Sequence, residues 1–179
     1  MYKTVLIGLG NIASLNNKDE AMRKSLKYSA HAQVLVAHKN YSWIAGVDPS
    51  EEAREYVKNT WAIERVTNSF QNLKDPEIFD IAVLASPPDS RIECIDYLPS
   101  LKGVIVEKPL GESYKSSEKF IQECNKRGIM VQVNLTRRSD IVMKQLASGD
   151  LKKRIGNVQF AFGSYGRGLR NYGIHLIDE

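Results

Sequence analysis

Cysteine, histidine and long apolar runs are all scarce in this 179-residue chain. The two cysteines, Cys94 and Cys124, form no C-x-x-C or metal-type spacing, so no metal site is expected and both read as small buried hydrophobes. No apolar run approaches the roughly 20 residues of a membrane span. The opening "MYKTVLIGLG" reaches two glycines too soon for a signal peptide, and a cytoplasmic protein with no membrane partner is expected. There is no dense Lys/Arg run and no basic tail. The formal charge of +4 comes from 25 basic and 21 acidic residues spread along the chain, so no nucleic-acid partner is expected. Internal repeats and low-complexity segments are also missing. What remains, 42% hydrophobic and 26% charged residues, suffices for one sizeable core, or one domain and part of a second.

Apolar runs bounded by turn residues alternate with helical patterns, which predicts an α/β fold with a doubly wound parallel sheet. Strands are predicted over Lys3 to Ile7, Trp43 to Val47, Ile81 to Ala85, Val104 to Val106 and Ile129 to Val133, with a weaker one near Glu64 to Val66. Helices are expected after Ser29, after Pro49–Ser50, from about Pro88 to Tyr97, and through Ser117, Phe120, Ile121 and Cys124 until Gly128 stops the last. The pattern changes after about Asn134. A helix from Asp140 to Ala147 and an alternating antiparallel strand in "NVQFAFGSYGRG" are predicted there. The expected division is therefore a Rossmann domain over 1–134 and the beginning of a second α/β domain over 135–179.

Directly after the first strand, "VLIGLGNIA" places Gly8, Gly10 and Ala13 as G-x-G-x-x-A. One glycine makes the tight turn and the second lets the backbone approach a pyrophosphate. The small third residue packs a helix close, with its N-terminal N–H groups facing the anion. Gly8, Gly10, Asn11, Ile12 and Ala13 are thus candidate dinucleotide contacts. Asp48 ends the second strand, where its carboxylate can accept from adenosine ribose hydroxyls or cap the following helix. It would repel a 2′-phosphate, so NAD is expected ahead of NADP. Asp48 lies 35 positions beyond Ala13, against the typical spacing of about 20. The surplus falls in "SLNNKDEAMRKSLKYS", read as an enlarged loop whose Arg23, Lys24 and Lys27 are solvated or touch ligand.

Two later strands reach the same edge. Ser86 and Pro87 in "VLASPPDSR" are expected to pass close to the cofactor, because ligands bind outside the carboxyl ends of parallel strands. "VIVEKPLG" ends an apolar run in Glu107, Lys108 and Pro109, so Lys108 emerges near the expected nicotinamide with Glu107 placed to orient it. Near the far end, "NYGIH" sets His175 four residues after Asn171, and a histidine suits proton transfer on an alcohol.

Together these motifs resemble the Gfo/Idh/MocA family (glucose-fructose oxidoreductase and inositol dehydrogenase) along essentially the whole chain. The carriers are the Gly8–Ala13 turn, "YSAHAQVL" around His31, Asp48, "ASPPDSR", Glu107–Lys108–Pro109, "NLTRR" and the Asn171–His175 segment. The resemblance implies an N-terminal Rossmann domain and a C-terminal α/β domain with a large open sheet, in proteins of about 300 residues or more. It makes Lys108 the active-site lysine and His175 the proton-transferring histidine. Asn171 stands where many members have an aspartate; its amide can hold substrate but cannot take a proton. Arg91 occupies a place where histidine is frequent. Arg137 and Arg138 match an arginine pair implied to grip substrate.

The expected activity is an NAD-dependent dehydrogenase transferring a hydride between nicotinamide and a hydroxyl or carbonyl of a sugar or sugar derivative. The alternative is a non-catalytic dinucleotide-binding or redox-sensing module, the chain being a part of a longer protein. Self-association into a homo-oligomer is expected, because an unfinished sheet exposes an edge and an apolar face.

Overall fold

The computed structural model describes residues 1–160, 162–166, 173–174 and 178, and it divides into two compact units, Met1–Gln132 and Val133–Glu179. In the first unit the strands are β1 (Tyr2–Ile7), β2 (Tyr41–Val47), β3 (Arg65–Thr67), β4 (Ile81–Leu84), β5 (Gly103–Val106) and β6 (Met130–Val133). They form one parallel sheet in the order β3-β2-β1-β4-β5-β6, which reverses direction between β1 and β4. This is the doubly wound arrangement, whose ligand crevice opens outside the carboxyl ends of the strands at the reversal.

The inner strands end in nearly continuous apolar runs because both faces of the sheet are covered there, whereas the edge strands β3 and β6 are partly exposed. Val5 and Ile7 of β1 and Ala82 and Leu84 of β4 pack with Cys94, Ile95, Phe120 and Cys124 on one face. These come from α4 (Arg91–Tyr97) and α5 (Tyr114–Lys126). Leu6 and Val83 face the other way, toward Ala32 and Leu35 of α2 (His31–Ala37) and Ala53 and Val57 of α3 (Glu51–Trp61). The alternation breaks once. Thr4 pairs with Trp43 and Val5 with Ala45, so Ile44 is an extra residue in β2. That bulge reverses the phase of the side chains. Trp43 thereby joins the α2/α3 face, where its ring lies 6.3 Å from Trp61 and its Nε1–H donates to the Ala45 carbonyl at 2.8 Å.

Helix boundaries follow local chemistry. Ser50 and Ser113 cap α3 and α5 by accepting the N–H of Ala53 and Ser116. Gly128, at φ +66°, ends the α5 turn where a side chain would be strained. The short helix α1 (Glu20–Ser25) is capped by Asp19 and lies in the stretch whose surplus length predicts an enlarged loop.

In the second unit α6 (Ile141–Gln145) begins at Asp140, which accepts the N–H groups of Val142 and Met143. A widened turn over Leu146–Asp150, with Gly149 at φ +86°, leads into α7 (Leu151–Ile155). The strand expected in "NVQFAFGSYGRG" is not formed among the described residues, which carry no ladder there. Alternation marks a segment suited to one wet face, but a strand exists only when a neighbour completes its hydrogen bonds. Exposed Phe160 and Phe162 belong to that segment.

Candidate functional site

The carboxyl ends of β1, β2, β4 and β5 meet through short main-chain bonds. Gly8 N–H donates to Val47 O at 2.8 Å, Ala85 N–H to Ile7 O at 2.7 Å, and Glu107 N–H to Leu84 O at 2.9 Å. The two glycines of the first turn have different reasons to be glycine. Gly8 has φ +86°, and a Cβ there would lie 2.7 Å from the Ala85 carbonyl carbon and the Ser86 nitrogen. Its missing side chain is required by the protein itself. A Cβ on Gly10 would meet nothing within 4 Å, so here the missing side chain leaves open space against the main chain. Ala13 is fully buried under the turn, and Ser14 ties it down by donating its hydroxyl to Leu9 O at 2.6 Å.

The helix expected behind this turn is only one turn long. Ala13, Ser14 and Leu15 N–H groups donate to Gly10 O, a tight 3-10 turn follows over Leu15–Lys18, and the chain then leaves. It returns at His31, whose N–H donates to Ile12 O at 3.0 Å, while Ala32 N–H donates to Ala13 O at 2.9 Å. In helical register His31 stands where residue 16 would. Residues 16–30 are therefore the excess, and without those 15 Asp48 would follow Ala13 by 20 positions, close to the typical spacing of about 20. The excursion docks on α3 through Asn17, which donates to Tyr56 Oη at 3.1 Å, and Lys18, which lies 3.3 Å from Glu52 and over the Tyr56 ring. Arg23, Lys24 and Lys27 are exposed on it, with Lys24 paired to Glu20.

Asp48 serves the protein directly. One carboxylate oxygen accepts Leu9 N–H at 2.7 Å and the other accepts Ser50 N–H at 2.8 Å, joining the glycine turn to the start of α3. An ionised carboxylate has about four acceptor positions, so capacity remains for hydroxyl donors. Arg54 braces the same corner by donating to the Asp48 and Pro49 carbonyls.

Around Lys108 the structure brings together residues that sequence reading had not joined. Arg91 is 2% exposed, and its guanidinium donates to Ser86 O at 2.9 Å, Pro109 O at 2.7 Å and Leu110 O at 3.0 Å. It therefore clamps the loops leaving β4 and β5. Burial pushes its pKa down to about 10, with Glu107 and Asp89 acting in the opposite direction, so it stays cationic at neutral pH. On the other side, His31 Nε2 lies 2.7 Å from Glu107 Oε1, both side chains being largely shielded. Lys108 is half-buried between these anchors, and its peptide bond to Pro109 is cis. The Ser86 hydroxyl is buried without a hydrogen-bond partner, which marks a group awaiting one.

In the second unit Arg138 makes a forked ion pair with Asp178, with 2.9 and 2.8 Å bonds from its Nε, which holds its pKa above the usual value. Arg137 is exposed. Asn171 and His175 lie outside the described residues. Among the described residues no group of three or more His, Cys, Asp or Glu side chains could hold a metal ion, and no helix is long and apolar enough to cross a membrane.

Residues 2–135 match the Gfo/Idh/MocA family, described as an oxidoreductase family with an NAD-binding Rossmann fold. The chain belongs to this family. Its fold resembles that of scyllo-inositol dehydrogenase from Lactobacillus casei with bound NAD(H) and scyllo-inositol (TM-score 0.75, 18% identity, covering 99% of this chain and 54% of that one). Myo-inositol 2-dehydrogenase from Lactobacillus plantarum matches with TM-score 0.64 and 22% identity over 83% of this chain and 42% of that one. The WlbA dehydrogenase from Bordetella pertussis, in complex with NADH and UDP-GlcNAcA, matches with TM-score 0.63 and 17% identity over 87% and 43%. This chain thus spans about half the length of these Gfo/Idh/MocA structures. No curated protein matches the sequence.

Proposed function

We propose that this chain is the dinucleotide-binding part of an NAD-dependent dehydrogenase acting on a hydroxyl or carbonyl group of a sugar or sugar derivative. The observation that carries the reading is the open side of Gly10: the protein's own packing leaves that space empty, as a backbone that receives a diphosphate would. Gly8 to Ala13 would hold the diphosphate and Asp48 the adenosine ribose, its charge disfavouring the extra phosphate of NADP. Ser86 and Pro87 would border the nicotinamide, with the orphaned Ser86 hydroxyl free to bond it. When bound, the nicotinamide supplies the redox chemistry. The chain's own part is to place Lys108 against a substrate oxygen and stabilise its developing charge. His175 would hold or move the hydroxyl proton, Asn171 would bind substrate, and Arg137 and Arg138 would grip its polar groups. Domain boundaries near Asn134 and a homo-oligomer joined through the exposed apolar segment around Phe160 and Phe162 complete the proposal.

The test is calorimetric titration with NAD(H) and NADP(H), followed by a screen of cyclitols, sugars and sugar nucleotides on a full-length form. Lys108→Ala is expected to abolish turnover while leaving NADH affinity within about threefold. NADH binding with no substrate-dependent change in nicotinamide absorbance would favour a non-catalytic sensing module instead.

A further inference from the structure

His31 holds two attachments that bear on different parts of the site. Its main-chain N–H donates to Ile12 O, so it is built onto the glycine turn. Its ring nitrogen Nε2 sits 2.7 Å from Glu107 Oε1, the distance at which an imidazole N–H donates to a carboxylate. Neither side chain is open to water: 13% of the histidine and 10% of the glutamate is exposed. The position of His31 is itself overdetermined. Gln33 Oε1 accepts the N–H groups of Ser29 and Ala30 at 2.6 and 3.1 Å, and Gln33 Nε2 donates to Asn17 at 2.9 Å. The end of the 16–30 excursion is thus pinned where it delivers the ring to Glu107.

Lys108 follows Glu107 directly. The chain after it is held by Arg91 at the Pro109 and Leu110 carbonyls, and the chain before it by Glu107, through its N–H to Leu84 and its carboxylate to His31. A long flexible amine gains a defined position only when the backbone on both sides is fixed. We propose that His31 is a positioning residue for Lys108, acting through Glu107 from the glycine-turn side, an inference that rests on reading Lys108 as the active-site lysine. His31 touches no reacting atom in this assignment.

The test separates positioning from simple stability. The rate at which acetyl N-hydroxysulfosuccinimide modifies Lys108 is read by mass spectrometry, with Lys126 of α5 as internal reference, and NADH affinity is read by its fluorescence. His31→Ala is expected to change the Lys108 rate at least threefold relative to Lys126, with the NADH dissociation constant within threefold of the native protein. His31→Gln, whose side-chain amide can still donate to Glu107, is expected to restore the rate to within twofold. Unaltered Lys108 rates in His31→Ala, whatever happens to its melting temperature, overturn the proposal. If that variant does not fold, Glu107→Gln, which keeps the shape and weakens the bond, carries the same expectation and the same refutation. Failure of the native protein to bind NADH would sink the dehydrogenase reading while the lysine rates still decide the role of His31. Normal NADH binding with unmoved lysine rates would do the reverse.

Discussion

Replacing Gly10 by alanine asks whether a diphosphate passes over the first turn. Gly10 does not use the left-handed backbone region, and a Cβ there meets nothing within 4 Å. The fold therefore loses nothing, and the reduced freedom of the unfolded chain is worth about 0.4–1 kcal/mol in favour of the variant. A shift of roughly 1–4 °C upward in melting temperature follows for a domain of this size. The ligand sees the opposite. A methyl group would stand in the space through which a phosphate approaches main-chain N–H groups, and losing one charge-assisted bond costs about 1.5–3 kcal/mol. At tenfold per 1.4 kcal/mol, the NADH dissociation constant should rise on the order of 10- to 100-fold. Gly8→Ala supplies the contrast. Its Cβ would lie 2.7 Å from backbone atoms that cannot step aside, at φ +86°, so both melting temperature and NADH affinity should fall. Calorimetry and thermal unfolding on the two variants decide the matter. An unchanged NADH affinity in a folded Gly10→Ala protein would show that the cofactor does not lie across this turn.

Other perturbations test the supports of the site. Arg91→Met removes three bonds to carbonyls and the cation beside Glu107; a loss of about 2–4 kcal/mol is expected, seen as a drop of roughly 5–15 °C in melting temperature, and a drop under 2 °C would contradict the clamp. Asp80 at the start of β4 accepts from the Lys102 ammonium and from the Lys3 N–H, which lowers its pKa below the ordinary 3.8. A depressed carboxylate stabilises the fold above its unfolded pKa and loses that contribution as pH falls through its folded value. Denaturant titrations below about pH 4 should therefore show a shallower acid decline in Asp80→Asn than in the native protein, and coincident curves would refute the pairing. Burial pushes the Cys94 thiol up to about 12 and the Cys124 thiol up to about 11, so neither should react with an aromatic disulfide reagent at pH 8 until the protein is unfolded in guanidinium.

The inner strands are legible in the sequence because a sheet covered on both faces writes itself as unbroken apolar runs, and all six expected strands form within two residues of their predicted ends. The same logic hides the Ile44 bulge, since an extra apolar residue in an apolar run leaves no mark. The spacing from Ala13 to Asp48 likewise shows that the 14–29 stretch holds surplus residues, but not that the helix they interrupt resumes. That depends on bonds from His31 and Ala32 back to Ile12 and Ala13, which no local pattern announces. Arg91 is read from sequence only as a departure from a family habit. Its burial is decided by three carbonyls on two other loops, a tertiary arrangement. The pairing of His31 with Glu107 crosses 76 positions and is invisible for the same reason. The stretch after Asn157 marks the converse limit, where a clear period-two pattern carries no ladder among the described residues.

The interrupted first helix has a consequence for how such a site can diversify. Since the segment 16–30 leaves and rejoins along one helical axis, the part free to vary is its exposed middle, residues 19–28, while Asn17, Ser29 and Ala30 keep their bonds to Gln33. Shortening that middle, or swapping it for a foreign sequence, should leave the bonds of His31 and Ala32 to Ile12 and Ala13 as they are.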